Sequence, residues 1–121
     1  MTEKVADTGK WVFYMKMEGN RMTVLRTLKN DELTVQLIGR LETVTAPKLE
    51  KQLGDSLQGV KTLIMDMTEL EYISSEGVRV LCSVQKTMNE QGRMIIRNVN
   101  EDVMDVFAKA GAVDVLTIER A

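Results

Sequence analysis

A short apolar run with no alternation has no polar side to leave in water, so both of its faces need cover. The stretch Lys61–Met67 (Lys-Thr-Leu-Ile-Met-Asp-Met) contains such a run at Leu63-Ile64-Met65. It reads as a central strand buried on both faces, the pattern of parallel pairing between covering helices. The cover is written on either side of it. Leu49, Leu53 and Leu57 recur at i, i+4 and i+8 before the run, and Val78, Leu81, Val84 and Met88 keep helical spacing after it. Helix, buried strand, helix is therefore the nucleus of the expected fold.

The remaining elements extend this nucleus. Arg21–Leu28 and Leu33–Ile38 read as strands, the second alternating apolar Leu33, Val35 and Leu37 with its other positions. Asn30-Asp31 between them supplies turn chemistry for a hairpin, and Gly39 is expected to end the second strand. The first helix opens at Thr45 as N-cap, with Pro47 in the first turn, and closes before Gly59. The second runs from about Ser75 to Gln91, with Gly92 past its end in the C′ position. Arg93–Asn98 is a further strand. The third helix has Asn100 as cap, Glu101 and Asp102 at its positive pole, Lys109 in its last turn and Gly111 at its exit. Its buried face is read as Val103, Val106, Phe107 and Ala110, and Val113–Ile118 as a last strand. The order β-β-α-β-α-β-α-β predicts an α/β single domain, a mixed β-sheet packed with helices. Residues 1–20 are read as an extension of unknown role, with Trp11–Met15 as a short apolar segment or strand and Gly19-Asn20 as a turn; the domain proper is 21–121.

Composition excludes several functions. A chain of 121 residues fits one domain. The net charge of −2 leaves no basic surplus for displacing counterions from nucleic acid. Lys48 and Lys51, interleaved with Glu50, read as a solvated helix face. The single cysteine, Cys82, and the absence of histidine exclude an internal disulfide, a Cys/His zinc site, and Ser–His or Cys–His nucleophile pairs within the chain. Cys82 lies in the second helix beside Leu81 and reads as a small packing group. No stretch approaches the roughly 18 apolar residues of a membrane span. Met1–Lys10, with charges of both signs, does not read as a secretory leader, so a cytoplasmic location is expected.

Enzymatic motifs are missing as well. Gly9-Lys10 lacks the leading glycine of a phosphate-binding loop, since Lys4 stands at that position, and no G-x-G-x-x-G or G-x-S-x-G occurs. Asp66, Glu69 and Glu71, near one strand end, are the carboxylates available for a metal or for acid–base work; a polar loop closing a buried strand needs the same residues and is the reading adopted. No catalytic residue, metal site or cofactor is assigned.

The informative segment is Leu70-Glu71-Tyr72-Ile73-Ser74-Ser75-Glu76-Gly77-Val78-Arg79-Val80-Leu81, which joins a buried strand to an amphipathic helix with two serines at the joint. A serine there either caps the helix by accepting a backbone N–H bond or offers a phosphorylation site whose phosphate the free N–H groups at the helix start would favour.

Residues Ile73–Leu81 resemble the strand-to-helix motif of STAS domains, the family of anti-sigma factor antagonists. Gly39-Arg40-Leu41-Glu42 with Thr45-Ala46 resembles that family's entry to its first helix. Leu63–Met67 is similar to its central strand ending in Asp, and Asn98-Val99 with the third helix and Gly111 to its closing segment. The resemblance covers about residues 21–119. It implies a STAS-like fold and a partner-switching role, in which the unphosphorylated chain binds a serine-kinase anti-sigma factor and is released when that kinase phosphorylates it. A metal-dependent serine phosphatase then resets it. In the usual Asp-Ser-Ser-Gly form the first serine takes the phosphate, which corresponds to Ser75, with Gly77 matching the glycine. Ser74 stands where Asp is usual and Glu76 where the second serine is usual, and Ser74 is the second candidate for modification. Ser74, Glu76, Gly77, Arg79 and Ser83 are the expected partner-binding residues. The alternative role is a STAS domain that serves as a constitutive binding subunit of a sensory or transport complex, with Ser75 as a helix cap.

Overall fold

The computed structural model describes residues 2–5, 11–17 and 22–119. Its elements are β1 (Thr2–Val5), β2 (Trp11–Met17), β3 (Met22–Lys29), β4 (Glu32–Leu41), α1 (Ala46–Ser56), β5 (Thr62–Asp66), β6 (Leu70–Ile73), α2 (Ser75–Gln91), β7 (Arg93–Arg97) and α3 (Glu101–Lys109). The expected turn at Gly19-Asn20 lies outside the described residues. Strands β1 to β4 form an antiparallel meander, and β4 is the hinge of the architecture, because β5 and β6 pair with it in parallel and β7 pairs in parallel with β5. The sheet is therefore mixed, as the order of elements predicts.

The β3–β4 hairpin closes as Asn30-Asp31 requires. Lys29 pairs with Glu32, and Asn30 takes the left-handed conformation (φ 57°) that asparagine tolerates better than most side chains. Gly39 does not end β4. It holds φ at 103°, and the strand continues to Leu41 past a bulge, with Glu71 as the extra residue on the partner strand. That bulge lets β4 serve two partners on one edge. Its first half, from Glu32 to Gln36, pairs with β5; its last three residues pair with β6; β3 fills the other edge.

Helices α1, α2 and α3 enclose a single core. Leu49 and Leu53 of α1, Val78, Leu81, Val84 and Met88 of α2, and Val103 and Phe107 of α3 join Leu33, Val35 and Leu37 of β4 in one cluster. Of the apolar run, Leu63 and Met65 enter this cluster, whereas Ile64 is 7% exposed and buried outside it. Ile64 pairs with Thr34, not with a core-facing residue of β4, so it lies on the opposite side of the sheet.

Four further expectations are corrected. Thr45 stands at the N-cap of α1, but its hydroxyl turns back, accepting from Glu42 N–H at 2.9 Å and donating to Glu42 C=O at 3.1 Å, so it braces the loop and makes no cap bond. Gly92 ends α2 as C-cap with φ at 177°, an extended conformation; a Cβ there would lie 1.9 Å from the Lys61 carbonyl oxygen, so glycine is required by space. Val113–Ile118 is a turn, not a strand, and keeps only the bridge of Ile118 to Ile96. Val106 is half-buried against the core and Ala110 is exposed, which leaves Val103 and Phe107 as the fully buried face of α3.

Candidate functional site

The C-terminal ends of β4, β5, β6 and β7 share one end of the parallel part of the sheet, and the starts of α1, α2 and α3 follow them there. Ligands and partners of open α/β sheets commonly use this end. Its most distinctive part is the corner between β6 and α2. Strand β6 runs beside the end of β4, with Tyr72 opposite Arg40 and Ile73 opposite Leu41. The Ser74 N–H then donates to Leu41 C=O at 2.9 Å, which pins the corner to the sheet.

The two serines divide the available roles. Ser74 is the N-cap of α2, in extended conformation, and its Oγ accepts the Gly77 N–H at 3.1 Å. It is 8% exposed. Ser75 is the first helical residue and is exposed to solvent. A cap needs an extended backbone that turns its hydroxyl toward the helix axis; the next residue, already helical, is carried outward. The capping role considered for Ser75 in the sequence therefore falls to Ser74.

Gly77 completes the corner from within. A Cβ at Gly77 would meet Ile73 Cγ1 at 2.8 Å and Leu41 Cγ at 2.9 Å. The bare backbone lets α2 sit directly on the ends of β4 and β6. Of the expected partner residues, Ser74 and Gly77 are thus buried and hold the corner in place. Glu76 is half-buried, and Arg79 and Ser83 are exposed on the outer side of α2 together with Ser75. Arg79 forms an i,i+3 ion pair with Glu76 at 3.4 Å.

Residues given no role in the sequence reading border the same corner. Tyr72 is 39% exposed, with the Arg40 guanidinium 4.4 Å from its ring centroid, and Arg40 Nε donates to Glu42 Oε1 at 2.7 Å. Val44, in the loop after β4, is 61% exposed. An exposed tyrosine with an arginine over its ring consists of residue types enriched at protein contacts. The clue in the sequence was positional, since Arg40 lies within the Gly39–Glu42 motif and Tyr72 directly precedes Ile73, but only the β4–β6 register brings them together.

Of the carboxylates near the end of β5, Asp66 is committed to local hydrogen bonds. Asp66 Oδ1 accepts from Thr68 N–H at 3.0 Å, Thr68 Oγ1 at 2.5 Å and Asn98 Nδ2 at 3.2 Å. Partial burial pushes the Asp66 carboxyl up, but the hydrogen bonds from Thr68, Asn98 and Gln36 together outweigh it and hold the group below its usual range. An acid held ionised by donors is poorly suited to donating a proton. No cluster of three His, Cys, Asp or Glu side chains among the described residues is placed to hold a metal ion. Cys82 is partly buried against the core, and burial pushes its thiol up, with Lys86 acting in the opposite direction.

With the strand-to-helix corner, the mixed sheet and the helix order in place, the chain belongs to the STAS domain family, whose model matches residues 23–121. Among particular relatives it is 29% identical over 84 residues to BtrV of Bordetella bronchiseptica (strain ATCC BAA-588 / NCTC 13252 / RB50), a protein that carries the name of an anti-sigma factor antagonist; the match covers 68% of this chain and 72% of BtrV. An anti-sigma factor antagonist from Mycobacterium paratuberculosis has the same fold, with a TM-score of 0.75 at 17% identity over 88% of this chain and 92% of its own. The anti-sigma factor antagonist SpoIIAA in its unphosphorylated form also superposes, with a TM-score of 0.67 at 16% identity over 90% of this chain and 88% of its own.

Proposed function

We propose that the chain is an anti-sigma factor antagonist of a bacterial partner-switching pathway, working in the cytoplasm. It binds a serine-kinase anti-sigma factor through the β6–α2 corner while Ser75 is unmodified. The kinase moves the γ-phosphoryl group of ATP to Ser75 Oγ, the hydroxyl proton leaves and ADP departs, and the modified chain dissociates. Hydrolysis by a serine phosphatase restores the hydroxyl and returns inorganic phosphate.

One observation carries this reading. Ser75 is exposed on the first turn of α2 while its neighbour Ser74 is buried and committed to the cap. A kinase can reach Ser75 without unfolding anything, whereas modifying Ser74 would break the Gly77 contact. The phosphate adds roughly −1.5 to −2 charges at neutral pH. A partner surface fitted to a neutral hydroxyl then faces a desolvated, unpaired charge. A penalty of about 4 kcal/mol lowers affinity about a thousandfold.

The test is incubation of the chain with candidate anti-sigma kinases and ATP, location of the phosphate by mass spectrometry, and binding assays on two variants. Phosphate on Ser75, retained binding by Ser75→Ala and lost binding by Ser75→Asp are expected. Equal binding by wild type and both variants would remove the switch.

A further inference from the structure

Resting on the assignment of Ser75 as the modified residue, we propose that Arg79 is the intramolecular partner of that phosphate, exchanging Glu76 for phosphoserine 75 when the switch is thrown. Ser75 and Arg79 are four residues apart on α2, so their side chains lie one above the other on the same face of the helix. The anionic residue lies toward the N-terminus and the cation follows it, the favourable order along the helix. Arg79 is 77% exposed, and its pair with Glu76 is a single contact of 3.4 Å, longer than a strong charge-assisted hydrogen bond. It is loosely held and has room to swing.

The other guanidinium at this corner is engaged. Arg40 lies 2.7 Å from Glu42 and stacks on Tyr72, so recruiting it would break two contacts in place of one. A phosphate dianion with three acceptor oxygens outcompetes a monoanionic carboxylate for one fork of N–H donors. The exchange changes both ends of the corner together. The guanidinium stays on the outer face but has its charge neutralised by the phosphate, and Glu76 is left unpaired beside it. Arg79 thereby acts as a specificity-determining residue for discrimination between the two states.

The exchange is tested without any kinase, by installing phosphoserine at position 75 of the full chain through codon suppression and titrating its 31P resonance. In the otherwise wild-type chain the second phosphate ionisation is expected about 0.3–0.6 pH unit below that of the Arg79→Gln variant, the size of an exposed ion pair. The gap narrows at about 1 M salt, where the screening length falls to about 3 Å. Arg79→Lys is expected to recover part of it, since it restores charge without the fork. The Arg79 Nε–H resonance should move on phosphorylation in the wild-type chain. Equal midpoints in all three chains, or an Arg79 resonance indifferent to the phosphate, overturn the proposal. Failure of every kinase to modify Ser75 would count against the proposed function and leave these measurements valid, so the two failures are separable.

Discussion

The Ser74 hydroxyl accepts the Gly77 N–H at 3.1 Å, and Gly77, lacking a side chain, leaves Ile73 and Leu41 the space that a Cβ would fill. The start of α2 is thereby fixed in direction and in depth, and its stability is separable from the chemistry proposed for Ser75.

That separation is measurable by comparing two alanine variants. Ser74→Ala removes a cap and is expected to destabilise the domain by about 0.5–2 kcal/mol. Ser75→Ala removes an exposed hydroxyl and is expected to stay within about 0.5 kcal/mol of wild type. Urea unfolding followed by circular dichroism gives both values, and a larger loss for Ser75→Ala would reverse the assignment of cap and substrate.

Gly77→Ala sets two effects against each other. Alanine is better in a helix by about 1 kcal/mol. The new methyl group, however, meets Ile73 and Leu41 at 2.8 and 2.9 Å, and overpacking of this kind costs about 1–3 kcal/mol. Packing is expected to win, so the variant unfolds at lower urea, and its binding to a kinase-type partner weakens because α2 is lifted off the sheet.

Gly92→Ala is expected to be the more damaging glycine change. Its Cβ would lie 1.9 Å from the Lys61 carbonyl oxygen, which is backbone and has no rotamer to escape into. The Gly92 N–H bond to Met88 C=O at 2.7 Å and the Arg93 N–H bond to Lys61 C=O at 2.9 Å would both be strained. A loss above about 3 kcal/mol, or failure to accumulate as folded protein, is expected; a thermal midpoint within a few degrees of wild type would contradict it.

Asp66 predicts a pH dependence. Its carboxyl titrates lower in the folded chain than in the unfolded one, so the native state binds fewer protons. The stabilisation is present above the unfolded ionisation range, and it is lost as the pH falls through the lower folded value. Asp66→Asn should therefore be destabilised relative to wild type at pH 7, with the gap narrowing as the pH falls below the ordinary carboxyl range of about 4, because the folded wild type must then protonate its carboxylate. Urea midpoints of both proteins across that range give the comparison, and a gap independent of pH would show that the carboxylate charge has no part in it.

Much of this was legible from local chemistry. Asn30-Asp31 marked its turn, Ser75 and Gln91 bounded α2, and Asn100 does cap α3, its Oδ1 accepting from Val103 N–H at 2.8 Å. What escaped depends on tertiary register. Strand β6 buries only Leu70 and Ile73, and the bulge opposite Gly39 erases the period of two that would have marked it. Val113 and Val115 suggested a strand, yet both are exposed in a turn. Gln85, almost fully buried, accepts from Thr117 N–H at 3.0 Å, and Gln91 Nε2 donates to Leu57 C=O and Val60 C=O at 2.7 Å each. Nothing in a helix pattern marks a glutamine as a tether to a distant loop. The assignment of the cap to Ser74 and not Ser75 turned on a single residue's offset in where the helix begins, which spacing alone could not fix.

Strand β4, shared between β5 and β6 on one edge, places the proposed switch on a foundation that Ser75 itself does not support. The weight of the corner passes through Leu41, Ile73 and Gly77, all of them behind the serine. The proposed phosphate would therefore come and go on an unchanged scaffold, and substitutions at the outward-facing Arg79 or Ser83 would leave the packing beneath them intact.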